Sequence, residues 1–127
     1  MPDIGHFMIP ADNVDRARHF YASLLGWKID PVKSPGNPAV AAMQYHDIST
    51  GKAREGTMNT GGLYKRHLQE PILDFVMVEN IDALEAKVEK LGGKITMPKN
   101  AIPGVGKVVM ILDTEGNVIG LLEREKT

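Results

Sequence analysis

Apolar residues recur with helical spacing in two segments of the chain. Both stripes step by three, four and three residues, and the second repeats the first after a shift of 67 positions. This is the period of an amphipathic helix that packs on one side. The sequence therefore predicts two equivalent helices, one with Val14, Ala17, Tyr21 and Leu24 on its apolar face and one with Ile81, Leu84, Val88 and Leu91.

The residues at the ends of these stripes are typical of helix termini. Asp12-Asn13 and Glu79-Asn80 precede the stripes and can accept hydrogen bonds from free backbone N–H groups. Gly26 follows the first stripe and Gly92-Gly93 the second, where a left-handed cap is expected. Each helix is thus predicted to run from its Asn to its Gly.

Apolar runs on either side of the helices predict four strands in each half. GHFMIPA and LDFVMV precede the helices, WKID and KITMP follow them, and AVAAMQYHDI with GGLYK matches KVVMILD with NVIGLL. A turn is predicted at DTEGN, 113–117, with positive φ at Gly116 and an Asp113 side chain bonded to the turn backbone. Each half reads β-α-β-β-β. The sequence predicts an α+β fold in one domain, 1–127, with modules at about 3–66 and 70–124.

Composition and charge narrow the function classes. The 127 residues include no cysteine, which excludes thiolate zinc sites, disulfides and cysteine nucleophiles and fits a cytoplasmic location. The formal net charge is -1 and the basic residues are scattered, so no nucleic-acid surface is expected. VVMIL is far too short to span a bilayer, and the first residues do not resemble a signal peptide. No membrane partner is expected.

The two-module pattern resembles a known superfamily. Two βαβββ modules in this length, FY in the first helix, GG near the end of the first module and D-x-E-G-N before the last strand are similar to the vicinal oxygen chelate superfamily. That group includes glyoxalase I, extradiol dioxygenases and bleomycin-resistance proteins. The resemblance implies that the strands curl into an incomplete eight-stranded barrel, with both helices outside. It says less about chemistry, because one fold hosts many reactions.

The resemblance also implies where a divalent metal would be held, by one ligand from the first and one from the last strand of each module. His6 matches the first position, and the shift of 67 places Leu73 at its partner. The last-strand positions correspond to Gly62 and Gly120, which have no ligand atoms. We therefore predict no metal site and no cofactor. The alternative is a register slipped by one residue, which would put Asp74 in place of Leu73 and retain a divalent metal.

The pocket is predicted on the concave side of the sheets. His6 is the candidate catalytic or hydrogen-bonding residue, because imidazole titrates near neutrality. Tyr45 is preferred to its neighbour Gln44, His46 is expected near water, and Trp27 is interpreted as packing. His19 and His67 are expected to be solvated. The methionines on predicted strands, Met43 among them, suit a site for an apolar ligand; the alternative is that they belong to the ordinary core. The predicted substrate-binding residues are Met8, Tyr45, Gly62, Phe75, Met77, Met110 and Gly120.

These residues support three functional hypotheses. The first is a glyoxalase/bleomycin-resistance-like protein that binds a small, partly apolar molecule without the usual metal. The second is a metal-dependent lyase, isomerase or dioxygenase, and the third a regulatory or assembly module whose cup is filled by its own side chains. A homodimer is expected from exposed sheet edges and from the resemblance. The segments 34–39 and 47–61 are predicted rims of the site, and ligand identity and catalysis stay open.

Overall fold

A computed structural model describes residues 2–32, 42–52, 58–67, 69–102 and 106–125, with only the backbone of Ile102. The chain separates into two compact units, His6–Ile72 and Met1–Gly5 with Leu73–Thr127. The described residues contain eight strands and two helices. Each unit is considered on its own below, and strand β1 contributes residues to both.

In its described residues, the first unit has a four-stranded sheet against which a helix packs. Its elements are β1 (Asp3–Ala11), α1 (Val14–Leu25), β2 (Lys28–Pro31), β3 (His46–Ser49) and β4 (Thr60–Lys65). The strand order is β2-β3-β4-β1. β1 runs parallel to β4, whereas β2 with β3 and β3 with β4 are antiparallel.

Alternating residues of these strands form the first core. Ile9 and Leu63 are directly paired across β1 and β4, and both pack with Val14 at the start of α1. Ile29 and Ile48 complete the buried cluster, with Phe7, Ala17, Tyr21 and Trp27 packed against it. Because side chains alternate along a strand, the residues between these face away from α1.

The second unit repeats the arrangement. Its elements are β5 (Leu73–Met77), α2 (Ile81–Val88), β6 (Lys94–Ile102), β7 (Gly106–Leu112) and β8 (Val118–Arg124), in the strand order β5-β8-β7-β6. β5 is parallel to β8, and the other pairs are antiparallel. Val78, Ile81, Val109 and Leu121 form its buried core. The predicted α+β fold of two βαβββ modules is therefore confirmed, and the single-domain assignment stays a prediction.

The predicted start signals of both helices are confirmed. The Asn13 side chain accepts a hydrogen bond from Arg16 N at 2.9 Å, and Asn80 accepts one from Ala83 N at 3.1 Å. α1 ends at Gly26, whose φ of 73° is left-handed. The predicted turn is also present: Asp113 Oδ1 accepts from Glu115 N and Asn117 N, and Gly116 has a φ of 83°.

The second helix ends earlier than predicted, although the predicted left-handed glycine is present. α2 stops at Val88, and a turn over the next residues brings Gly92 to a φ of 97°. In both units the fourth residue of the apolar stripe is exposed rather than packed: Leu24 is 64% exposed and Leu91 is 74% exposed. Each helix therefore covers its sheet with its first two to three turns only.

The strand predicted over 39–48 is confirmed at 46–48 and wrong at 42–45. Residues 39–41 lie outside the described part, Met43 and Gln44 form a turn, and β3 begins only at His46. Gln44 has a φ of 49°, which ends any extended conformation before the strand. Of the predicted rim 47–61, Asp47 to Ser49 and Thr60 to Gly61 belong to strands, and 53–57 lie outside the described residues. The predicted rim 34–39 lies outside them entirely.

No helix in the described part of the chain is both long and apolar enough to cross a membrane.

Candidate functional site

Each sheet has one face toward its helix and one face away from it, which we call the far face. In the first unit the far face carries His6 and Met8 of β1 and Gly62 and Tyr64 of β4, because Ile9 and Leu63 face α1. Asp47 joins them, since it is paired with Gly62 across β3 and β4. Imidazole, thioether, phenol and carboxylate groups thus share one surface.

The centre of this far face is a hydrogen bond between His6 and Tyr45. Nε2 of His6 lies 2.9 Å from the Tyr45 hydroxyl, and both side chains are half-buried. The Tyr45 side chain lies directly over Gly62, where any Cβ would overlap the phenol ring and hydroxyl. The glycine is therefore required for Tyr45 to reach His6.

The chain before β3 places Tyr45 in this position. Lys65 N donates to Met43 O at 2.7 Å, and Val32 N donates to Tyr45 O at 3.0 Å. Between these two attachments Gln44 takes its left-handed φ, a conformation that costs a non-glycine residue roughly 1 kcal/mol or more. The chain thus stays alongside β4 on both sides of Gln44, and the Tyr45 ring lies over Gly62.

The surroundings of the two far-face phenols keep both protonated. Burial, with a smaller contribution from the Asp47 carboxylate, raises the pKa of Tyr45 above its ordinary value of 10.0. Burial also raises the pKa of Tyr64, helped by the charge of Glu70 and a hydrogen bond to it. Tyr64 was not predicted as a site residue. Its alternation with Gly62 in TGGLYK was the available signal.

The second unit confirms the strand register inferred from the sequence repeat. Val76 and Val78 pack with Ile81 of α2, so Leu73, Phe75 and Met77 face the far side and the exposed Asp74 does not. The slipped register, which needed Asp74 on the far face, is wrong. Leu73 occupies the position equivalent to His6 in the repeat.

The far face of the second unit carries apolar side chains at the predicted positions. Gly120 is paired with Phe75 across β5 and β8 and with Met110 across β7 and β8. A Cβ at Gly120 would overlap the Phe75 ring. Phe75 is 6% exposed, whereas Met77 and Met110 are half-buried. The predicted openings at Gly62 and Gly120 are therefore not open: each is covered by an aromatic ring of its own unit.

The residues at the family's ligand positions do not fit a divalent metal. Leu73 and the two glycines supply no donor atom, and rings fill the space that a longer side chain at Gly62 or Gly120 would need. Within the described segments, no three His, Cys, Asp or Glu residues are grouped closely enough to hold an ion.

Two further features of the described residues do not include His6 or Tyr45. An open cleft of about 690 Å³ in the second unit is lined by Asp3, Gly5, Met77, Val78, Glu79, Glu123 and Arg124. It includes only Met77 of the predicted pocket. Trp27 stacks on Tyr21 with ring centroids 5.4 Å apart, which places it in the packing under α1.

The remaining histidines lie at separate places on the first unit. Nδ1 of the half-buried His46 is 2.7 Å from Gln44 O and caps the turn that positions Tyr45. His19 is exposed on α1, and His67 is exposed beyond β4, where its backbone N–H donates to Glu70 at 3.3 Å. None of the three is hydrogen-bonded to the His6–Tyr45 pair in the contacts described.

Comparison with known proteins identifies the class to which this architecture belongs. Residues 3–121 match the Glyoxalase/Bleomycin resistance protein/Dioxygenase superfamily, and the chain belongs to that superfamily. It is 30% identical over 111 residues to the putative glyoxylase CFP32 of Mycobacterium bovis, covering 87% of this chain and 41% of that protein. The chain thus spans about two-fifths of the length of this curated relative.

Solved structures share the fold over nearly the whole chain. A hypothetical protein, BH1468 of Bacillus halodurans C-125, superposes with a TM-score of 0.70 at 12% identity, covering 99% of this chain and 96% of that one. Methylmalonyl-CoA epimerase of Mycobacterium tuberculosis gives 0.67 at 15% identity, covering 97% and 88%. At such identities the likeness shows the fold alone.

Proposed function

We propose that this member of the superfamily binds a small, partly apolar molecule on the far face of its first unit, without the divalent metal used by many relatives. The observation that carries the proposal is the His6–Tyr45 hydrogen bond of 2.9 Å at a half-buried position beside Met8. A few polar groups among apolar side chains are typical of small-molecule sites. The pair supplies orientation, and Met8 supplies adaptable apolar contact.

His6 is the residue of this site with the broadest chemistry. An imidazole can accept or donate a proton near neutral pH, whereas the Tyr45 phenol keeps its proton because its pKa is raised. If the bound molecule is transformed, His6 would therefore act as a general base through the Tyr45 hydroxyl, which is 2.9 Å from its Nε2 and would pass a proton to it while taking one from the molecule. Binding alone needs only its hydrogen-bonding capacity.

A thermal-shift screen with neutral aromatic and heteroaromatic compounds tests the proposal. A ligand that binds only the folded state raises the melting temperature. We expect such a shift in the parent protein, its loss in His6→Ala, and its retention in His19→Ala, which changes an exposed histidine on α1. A shift that survives in His6→Ala would place the ligand elsewhere.

Metal analysis separates this proposal from a metal-dependent lyase, isomerase or dioxygenase. The name of the mycobacterial relative and the epimerase neighbours favour that alternative as a class. Protein purified without chelator is expected to contain far less than one equivalent of nickel, zinc, manganese or iron. Stoichiometric metal retained by the parent and lost in His6→Ala would support the enzyme instead.

A regulatory or assembly module is a second candidate, favoured by one observation. Rings of the protein cover both Gly62 and Gly120, and Phe75 is almost fully buried. If these far faces serve packing only, no compound will raise the melting temperature in a His6-dependent way. The same screen therefore decides between the two.

We also propose a cytoplasmic homodimer. The absence of cysteine fits a reducing compartment, and Phe20, Leu24 and Leu25 form exposed apolar surface on α1, between 51% and 64% exposed. Light scattering after size exclusion is expected to give twice the chain mass of 13.9 kDa. A mass that stays at that of one chain at all concentrations would reject the dimer.

A further inference from the structure

In both units a ring stands over the glycine at the position where relatives are expected to keep a ligand. Tyr45 covers Gly62, and Phe75 covers Gly120. The rings come from different elements, since Tyr45 precedes β3 whereas Phe75 is part of β5. The corresponding space is thus filled in each unit by a ring from a different element.

Only the first of these rings carries a polar group, and it is directed at the single imidazole of the site. The Tyr45 hydroxyl is 2.9 Å from Nε2 of His6. A neutral imidazole has one ring nitrogen with a lone pair, which either accepts a hydrogen bond or binds a metal. The buried phenol is a suitable donor, because burial keeps its proton in place.

We infer that Tyr45 is the positioning residue that replaces the missing ligand: its ring fills the space over Gly62 and its hydroxyl donates to Nε2 of His6. The imidazole is thereby held as the tautomer protonated at Nδ1, and the lone pair that a metal would need is engaged. The inference rests on the proposed function, because it says which residue holds His6 in position in a metal-free binding site. Its tests, however, require no ligand.

Nitrogen-15 NMR of the histidine ring reads the tautomer directly. At a pH where His6 is neutral, we expect the ring of the parent protein to be protonated at Nδ1 and unprotonated at Nε2. Tyr45→Phe keeps the ring over Gly62 and removes only the hydroxyl, and it is expected to move His6 toward the Nε2-protonated form. Tyr21→Phe, which removes a hydroxyl from the ring stacked on Trp27, should leave His6 unchanged. An unchanged His6 tautomer in folded Tyr45→Phe overturns the inference.

Cobalt(II) tests the exclusion of metal from the same nitrogen. One equivalent of this paramagnetic ion is expected to leave the His6 ring signals of the parent protein sharp, whatever happens at the exposed His19 and His67. Selective broadening of His6 would show that Nε2 is available to a metal and would overturn the inference. Sharp signals together with the Nδ1 tautomer support it.

A mutant cycle tests the space-filling role of the ring. Gly62→Ala is expected to lower the melting temperature by roughly 5 to 10 °C, because the new Cβ overlaps Tyr45. In a Tyr45→Ala background the same change should lower it far less. Equal losses in both backgrounds contradict the ring–glycine pairing. The proposed function and this inference can fail separately. If the ligand screen gives no hit but the mutant cycle shows coupling and the NMR shows the expected tautomer, the proposed function is rejected and this inference stands.

Discussion

The two units share one backbone plan but differ in the chemistry of their far faces. Both have an asparagine-capped helix, a parallel pair between the first and last strands, and a glycine beneath an aromatic ring. In the first unit that ring is Tyr45, bonded to His6, and in the second it is Phe75 beside Met110. The two units therefore share the packing of an aromatic ring over a glycine, whereas the hydrogen-bonding groups of the far faces are concentrated in the first unit.

The largest expected effect comes from the apolar ring of the second unit. Phe75→Ala removes a ring that is 6% exposed and should lower the free energy of unfolding by about 3 to 5 kcal/mol. Tyr45→Phe removes only a hydroxyl and should lower it by about 0.5 to 1.5 kcal/mol. Urea unfolding measures both, with Leu91→Ala, 74% exposed after α2, as the near-neutral control. Equal effects of the two changes would contradict the division into a packing ring and a polar ring.

The glycine under that ring gives the next effect. Gly120→Ala is expected to destabilise the protein by about 1 to 3 kcal/mol, because its Cβ would overlap Phe75. In a Phe75→Leu background the loss should shrink, since the flat ring is no longer in contact. Unfolding free energies of the four proteins give the coupling. Additive losses would mean that the ring and the glycine do not depend on each other.

The helix starts differ in a way that point mutations can measure. Asn13→Ala should cost about 1 kcal/mol, because Arg16 N loses its acceptor. Asn80→Ala should cost less, since α2 keeps a second acceptor: Glu123 Oε1 still receives Ile81 N at 2.8 Å. Urea unfolding is the measurement, and Ser23→Ala on the exposed side of α1 is the control. A larger loss for Asn80→Ala would show that Glu123 does not support the second helix.

Much of the backbone plan could be predicted because it depends on local signals. The helix period, the Asn caps, Gly26 and the Asp113 turn are properties of short segments, and the shift of 67 placed Leu73 on the correct face. The ends of the apolar stripes could not be predicted, because whether Leu24 and Leu91 are covered depends on the length of the sheets beneath them. The apolar spacing is the same at the positions that pack against a sheet and at those that are exposed, so it does not distinguish them.

The position of Tyr45 was also beyond local pattern. AVAAMQYHDI has the composition of a strand, yet Gln44 adopts a positive φ with no glycine to indicate it. The turn is fixed by hydrogen bonds to Val32 and Lys65, which are distant in sequence. The glycines were interpreted as room for a ligand, because a sequence does not show which ring lies over them. Tyr45 was selected correctly as a far-face residue, although not for its actual backbone.

Alkaline pH is expected to weaken the fold through the first unit, where Tyr45 and Tyr64 both have a raised pKa. Above about pH 10 the unfolded chain releases these protons while the folded protein retains them. The unfolded state is therefore stabilised relative to the folded state, and the free energy of unfolding falls as pH rises. Urea midpoints at about pH 9 and about pH 11 measure the decline. Tyr45→Phe and Tyr64→Phe should each reduce it, whereas Tyr21→Phe should not. If neither Tyr45→Phe nor Tyr64→Phe reduces the decline in urea midpoint, the buried tyrosines do not link the first unit to alkaline pH.

Acid pH should act through the second unit with the opposite sign. Hydrogen bonds from Asn117 and the turn backbone hold the pKa of the Asp113 carboxyl below 3.8, and Lys99 and Lys107 lower that of Asp82. Because the folded pKa values are depressed, the stability they contribute is present above the unfolded value and is lost as pH falls below about 4. Both carboxylates are exposed, so the effect is the smallest of those considered. Asp113→Ala should flatten the decline in urea midpoint between about pH 5 and about pH 3, whereas Asp74→Ala, at an exposed position of β5, should leave it as steep as in the parent protein. A decline equally steep in Asp113→Ala would show that the turn carboxylate does not link this unit to pH.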